Sequence, residues 1–401
     1  MSALETFDVV VVGGGPTGAT AASDLAKKGR KVLLLDRMGR IKPCGGAIPP
    51  RLIKDFEIPD ELLVAKANCA RMIAPSDKAV DMHIEGGFVG MVDRDKFDEF
   101  LRVRAANDGA ERRTGVFEKL SRDEDGVSVV QYVVRGGKQS VPDVTVSVRA
   151  KAVIGADGAK SGVGRQAIPG AKDVEYVFAY HEIVKVPENP PADFDGSRCD
   201  VFYQGALSPD FYGWIFPHGT TMSIGTGTAD KGFSLRGAVT ALKKQTGLEN
   251  AEMLRHEGAP LPMKPLKKWD NGRDVVLAGD AAGVVAPASG EGIYYGMYGG
   301  RVAAEAVEEL LVTGNGKVLA KARKKFMKEH GTVFLVLGIM QRFWYNNDKR
   351  RERFVKMCED KDVQRLTFES YMNKKLVRRD PMAHVKIFLK DTAHLLGFAK
   401  V

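Results

Sequence analysis

Cysteine is scarce in this chain: Cys44, Cys69, Cys199 and Cys358 are far apart, without a C-x-x-C pair or a histidine at ligand spacing. That argues against a disulfide framework and a structural metal site, and it implies a reducing compartment. Long apolar runs are missing too. The best, Thr332 to Met340, falls short of the roughly 18 residues that cross a bilayer. No charged and apolar leader opens the chain, so secretion is not expected and a cytoplasmic location is. No nucleic-acid-binding motif accompanies its basic residues, which argues against a nucleic-acid partner.

What is present describes an ordinary globular chain, 44% apolar and 28% charged over 401 residues. At roughly 150 residues per domain there is room for two or three. The net charge of +9 is uneven, because segment 321–401 holds 20 Lys and Arg against 9 Asp and Glu. A basic tail of this kind suits an anionic surface, and a solvated helical face explains it equally well.

The most informative stretch runs from Phe7 to Asp36. Asp8 to Val12 reads as a buried β-strand, Ala19 to Lys28 as a helix, and Lys31 to Leu35 as a second buried strand ending at Asp36. Between strand and helix stands Gly13-Gly14-Gly15-Pro16-Thr17-Gly18. In such a unit Gly13 permits the tight turn, Gly15 the approach of a pyrophosphate, and Gly18 close helix–strand packing. The helix N-terminus faces the phosphates, and Asp36 accepts from a ribose. Glycines, strand, helix and acid in register predict a dinucleotide site.

Further along, Arg37 to Pro50 is a loop holding Pro43-Cys44-Gly45-Gly46, and a loop in this place lies over the cofactor cleft of such a fold. Cys44 reads either as a redox or acid group or as a small buried residue. Val64 to Met91 alternates like strands of a second sheet, and a helix opens at Val92 with Asp93 as cap. Arg94 in its first turn hints at an anionic partner. Strands follow at Gly126 to Val134 and Val144 to Val148, joined by a turn at Gly136-Gly137. Ala152 to Gly155 is a buried strand running into Ala156-Asp157-Gly158. Val174 to Val186, Val201 to Gln204 and Phe211 to Thr226 complete the second sheet, with a helix over Leu235 to Leu248. Asp274 to Ala278 repeats the opening theme: a strand closed by Gly279-Asp280, then Ala288 to Ile293 leading a helix to about Val312. Everything after Lys317 reads as helical, and His384 to Lys400 is amphipathic, suited to a membrane surface or to the protein's own body.

Taken together, the first glycine motif with Asp36, Ala156-Asp157-Gly158 and Gly279-Asp280 resemble the flavoprotein superfamily of p-hydroxybenzoate hydroxylase, in which all three serve one FAD. The resemblance implies an α/β fold: a Rossmann-like FAD-binding domain, an inserted antiparallel-sheet substrate domain and a C-terminal helical region. It places Gly13, Gly15, Pro16, Thr17, Gly18, Asp36 and Arg37 at the ADP half and Asp280 at the ribitol. Gly279, Gly290, Gly292 and Ile293 belong to the same set, the last three along the flavin pyrimidine edge. Arg94 falls near the pyrophosphate, and Asp157 in the motif linked to both FAD and the reduced nicotinamide. Pro43-Cys44-Gly45-Gly46 looks like the P-x-C-G-G loop of geranylgeranyl reductases. Tyr212-Gly213-Trp214-Ile215-Phe216-Pro217, followed by Gly225 and Gly227, is similar to their Y-x-W-x-F-P…G-x-G isoprenoid-tunnel motif. The tail looks most like the branch of that family acting on bacteriochlorophyll, with the plant and cyanobacterial chlorophyll branch next.

These likenesses imply an enzyme that reduces three double bonds of a geranylgeranyl chain, free as the diphosphate or on a tetrapyrrole. FAD would be the cofactor and NADPH the transient co-substrate. Cys44 would be the acid or a gate, with Cys44, Gly45 and Gly46 near the flavin and Tyr212 and Trp214 against the prenyl chain. The expected domains are 1–63 with 92–173 and 268–316 for FAD, 64–91 with 174–267 for the isoprenoid, and a basic helical region over 317–401 that contacts a membrane peripherally. The rival expectations are an aromatic hydroxylase of the same fold and a non-catalytic prenyl-binding escort.

Overall fold

The structure, a computed structural model, describes residues 4–37, 39, 41–136 and 142–374, so the expected helix at His384 to Lys400 and Gly137 of the expected turn lie outside it. The chain divides into two compact units. The first takes its residues from 1–41, 95–176 and 260–331, the second from 42–94, 177–259 and 332 onward.

In the first unit, four strands are paired in parallel in the order β8 (Glu111–Thr114), β2 (Val32–Asp36), β1 (Thr6–Val12) and β11 (Val144–Gly155), and β17 (Val275–Leu277) joins β11, also in parallel. β1, β2 and β17 are nearly continuous Val and Leu and are buried along most of their length, as strands covered on both faces must be. The two strands expected at 144–148 and 152–155 are one. Its first half pairs antiparallel with β10 (Ser128–Val134) and its second half parallel with β1 and β17, so no turn is needed between them. β9 (Val116–Arg122) extends the sheet beyond β10. α1 (Pro16–Ala26) starts three residues earlier than expected because Pro16 stands at N1, where its fixed φ suits a helix start. α6 (Ile293–Thr313) packs along α1, and α3 (Arg94–Asn107) and α4 (Gly162–Ala167) complete the unit's helices up to α7 (Ala320–Trp344), along which the chain passes to the second unit.

The second unit is built on a seven-stranded sheet in the order β16 (Met253–Pro262), β12 (Tyr176–Lys185), β15 (Thr221–Thr228), β14 (Gly213–His218), β13 (Arg198–Phe202), β5 (Cys69–Ile73) and β6 (Ala79–His83). The single sheet expected for 64–91 is two, because β4 (Leu63–Ala67) and β7 (Val89–Val92) pair with each other and with β3 (Ala47–Ile48). That pairing also draws residues 42–63 into this unit, where the expected boundary put them with the first. α5 (Leu235–Gln245) covers one sheet face through Val239 and Leu242, which meet Phe202, Ile215, Met222 and Ile224. α8 (Asp348–Met357) contacts β6, and α9 (Lys361–Asn373) contacts α2 (Pro50–Asp55), so the helices after residue 331 belong here too. Arg351, in the basic tail expected to meet an anionic surface or to be a solvated helical face, is 2% exposed and donates to Asp348 and to the carbonyls of Ser208, Pro209 and Tyr345.

In the first unit, Asp274 ties β17 to the antiparallel edge. Arg122 donates to both its oxygens at 2.7 and 2.8 Å, with Ser128 and Asn271 at 2.9 and 3.1 Å. Burial pushes this carboxyl up, but those donors outweigh it and hold it below its ordinary range. A depressed folded value means that the contribution is complete above the unfolded value of about 3.9 and is lost as pH falls through the folded one. Asp274→Asn is expected to cost about 2 kcal/mol at neutral pH. The deficit should shrink below about pH 4, as read by melting temperature against pH.

Candidate functional site

Three stretches remote in sequence meet at the C-terminal ends of the first unit's parallel strands. Gly13 has φ +106°, and a Cβ on it would stand 2.3 Å from the Ala156 carbonyl oxygen, so the first turn and the Asp157 corner touch backbone to backbone. A Cβ on Gly18 would lie 1.8 Å from the Gly13 oxygen. Thr17 makes the third junction, since Cβ atoms on Gly279, Gly296 and Gly300 would approach it to 2.2, 2.7 and 2.2 Å. Gly15 differs from these. It is the N-cap of α1 with no side-chain cap bond, and a Cβ there would meet nothing within 4 Å. Open space before uncapped first-turn N–H groups fits a pyrophosphate.

Asp36 sits against this turn. A Cβ on Gly14 would be 2.7 Å from its Cβ, and Arg102 bridges Asp36 Oδ2 at 3.3 Å and the Gly14 carbonyl at 3.2 Å. Burial raises the Asp36 carboxyl against the lowering pull of the Gly14 and Arg37 amides and of Arg102. Asp157 is committed within the chain: Oδ1 accepts from Ser161 at 2.5 Å, and Oδ2 from the Gly162 and Val163 amides at 2.6 and 3.1 Å. Its carboxylate therefore serves the start of α4. Asp280 is 8% exposed, close beneath Gly292. The helix expected to open at Ala288 begins at Ile293, and Glu291 caps it by accepting from the Tyr294 amide at 2.9 Å. Ala288 and Gly290 both hold positive φ in the turn before it.

The second unit carries the aromatic motif. Tyr212, Trp214 and Phe216 share the sheet face opposite α5, with ring centroids 6.0 and 6.2 Å apart, and Phe211 stacks on Tyr212 at 4.2 Å. Tyr203, Tyr345 and Phe354 extend the array through ring contacts of 5.0 to 6.0 Å. Burial pushes the Tyr212 hydroxyl well above its ordinary range, so it stays neutral. Gly225 is the cross-strand partner of Trp214, and a Cβ there would fall 2.2 Å from the indole. Gly227 similarly makes room for Phe211. The paired glycines of the motif are thus explained by rings packed closely against the sheet.

A chain of hydrogen bonds fixes the indole. Trp214 Nε1–H donates to Ser223 Oγ at 3.1 Å, and His181 joins Ser223 at 2.9 Å to Glu257 at 2.8 Å. An indole N–H only donates and a carboxylate only accepts, so in the neutral imidazole Nε2–H donates to Glu257 and Nδ1 accepts from the Ser223 hydroxyl. Cys44 is half-buried, and the Gly46 amide donates to its sulfur at 3.4 Å. Gly45 lies on the Phe216 ring, where a Cβ would come within 2.7 Å. The structure therefore brings the Pro43–Gly46 loop onto the aromatic strand, with Pro217 next in β14. Arg94 belongs to the same unit and is 5% exposed. Arg102, Ser223, His181 and Glu257 went unnoticed in the sequence because none stands in a motif. Gly296, Gly299 and Gly300 went unnoticed as well, although glycines inside a helix are a signal of a close neighbour.

The family model described as an FAD binding domain matches residues 6–322. A geranylgeranyl diphosphate reductase of Rhodobacter capsulatus is 56% identical over 98% of both chains. A chloroplastic geranylgeranyl diphosphate reductase of Oryza sativa is 36% identical over 97% of this chain and 86% of its own. A crystal structure of a geranylgeranyl bacteriochlorophyll reductase-like protein from Thermoplasma acidophilum shares the fold with a TM-score of 0.81 at 23% identity, covering 96% of this chain and 99% of that one. A glycine-built dinucleotide corner and near-full-length likeness point the same way: the chain belongs to the FAD-binding-domain flavoproteins and, among them, to the geranylgeranyl diphosphate reductases.

Proposed function

We propose that this FAD-dependent oxidoreductase adds hydrogen across three trisubstituted double bonds of a geranylgeranyl chain, free as the diphosphate or carried on a tetrapyrrole, with NADPH as reductant. The observation that carries the reading is the aromatic cluster of buried Tyr212 and Trp214 and half-buried Phe216 with the Cys44 loop packed on it, a largely apolar wall with a thiol beside it. In the first unit, Gly13, Gly15, Pro16, Thr17 and Gly18 would cradle the FAD pyrophosphate. Asp36 with Arg37 would hold the adenosine ribose, Gly279 and Asp280 the ribitol, and Gly290, Gly292 and Ile293 the ring edge. Asp157 supports the site by capping α4.

FAD, when bound, supplies a hydride equivalent. An isolated alkene is electron-rich and takes up hydride only together with a proton. Cys44 Sγ–H delivers that proton, and the Gly46 N–H directed at the sulfur stabilises the thiolate left behind until water reprotonates it. Tyr212, Trp214 and Phe216 exclude water, and their ring faces offset the positive charge that develops on the substituted carbon.

A peripheral membrane contact is part of this reading. No helix among the described residues is long and apolar enough to cross a membrane. Lys267, Lys268, Arg323, Lys324 and Lys328 line an open groove of about 670 Å³ that also contains Asp270, and this basic concavity suits anionic headgroups.

Three measurements test these statements. Gly15→Val, at a position where an added Cβ would have nothing within 4 Å, should keep the wild-type melting temperature without ligand yet weaken FAD retention at least about a hundredfold. Cys44→Ser should lower turnover about a hundredfold, read by mass spectrometry of the prenyl product; unchanged rate and product distribution would remove Cys44 from the chemistry. Lys324→Glu with Lys328→Glu should cut sedimentation with anionic vesicles about tenfold at low salt, with the difference fading near 0.5 M.

A further inference from the structure

His218 closes β14 beside the Cys44 loop, 6% exposed, and both of its ring nitrogens face oxygen. Nε2 lies 3.1 Å from the Gly45 carbonyl oxygen and Nδ1 3.0 Å from Asp93 Oδ1. A carbonyl and an ionised carboxylate only accept. A neutral imidazole carries one N–H, so it makes one of these bonds and turns a lone pair on the other oxygen. The imidazolium makes both. Asp93, whose side chain is 27% exposed, supplies the counter-charge that a buried cation requires.

The loop has little other freedom. Gly46 holds φ +74°, and a Cβ there would stand 2.5 Å from both His218 Cε1 and the Val92 carbonyl oxygen. The Val92 amide donates to the Gly46 oxygen at 2.9 Å. Gly45 rests on the Phe216 ring, two residues before His218 in β14. The two glycine peptides that follow the thiol are therefore gripped by β7 on one side and by the His218 ring on the other.

We propose that His218, as an imidazolium paired with Asp93, is a positioning residue that fixes the Cys44 loop against the aromatic strand. The inference rests on the reading of Cys44 as proton donor only for its effect on turnover; the placement of the thiol is measured separately. The probe is iodoacetamide on the full-length holoprotein, with modified residues mapped by mass spectrometry. Cys69, Cys199 and Cys358 are buried, and burial pushes Cys69 to about 11 and Cys358 to about 12, so Cys44 is the thiol that reacts first.

His218→Gln should raise the Cys44 alkylation rate roughly tenfold, the equivalent of one lost charge-assisted bond, and should lower kcat more than it changes KM. His218→Lys keeps a cation with donors for both oxygens and should return alkylation to within about threefold of wild type. Asp93→Asn, which removes the counter-charge without touching β14, should loosen the thiol as His218→Gln does, and it serves if that variant fails to fold. Wild-type alkylation in His218→Gln or in Asp93→Asn would overturn the proposal, as would a Lys variant as reactive as the Gln one. Faster alkylation with unchanged turnover would support the clamp and instead count against Cys44 as the donor.

Discussion

Close backbone contact, made possible by missing side chains, is the constraint on which the first unit depends. The Gly13 turn rests on the Ala156 carbonyl, α1 rests on the Gly13 carbonyl through Gly18, and Thr17 is met by α6 through Gly296 and Gly300 and by the turn after β17 through Gly279. Each helix-interior glycine costs about 0.5–1 kcal/mol in conformational entropy relative to alanine. The chain accepts that cost at positions where even one methyl group would separate elements that must touch. A ligand corner assembled this way is stiff, because its parts are spaced by peptide planes instead of adjustable side chains.

The second unit applies the same subtraction to a different end. Gly225 and Gly227 remove Cβ atoms from the sheet so that Trp214 and Phe211 can lie on it, and Gly45 does so for Phe216. Ser223, His181 and Glu257 then hold the indole at its one polar point. Glycine supplies space in both units, but polypeptide fills it in one and aromatic rings in the other.

Much of this was legible in the sequence, and the reasons differ by element. The opening strand, turn and second strand could be read because buried parallel strands are unbroken apolar runs and their glycines fall in register with Asp36. β8, β9 and β16 escaped notice because Glu111-Arg112-Arg113-Thr114 and its like are charged, half-exposed strands whose residues carry no apolar period. β11 looked like two strands because its polar first half and apolar second half face different neighbours. The glycines of the aromatic motif could be found but not explained, since the cross-strand register that sets Gly225 beneath Trp214 is a tertiary fact. Arg351 looked like one more surface charge, yet it is buried against carbonyls, because composition counts charges without saying which way they point.

The aromatic array has a consequence for any long hydrocarbon that would run along it. Aromatic faces and edges present few polar landmarks, so they set little longitudinal register. A polymer of identical five-carbon links can advance by one link and find equivalent surroundings. A lining of this kind would leave the point where travel stops to whatever is attached at the far end of the chain.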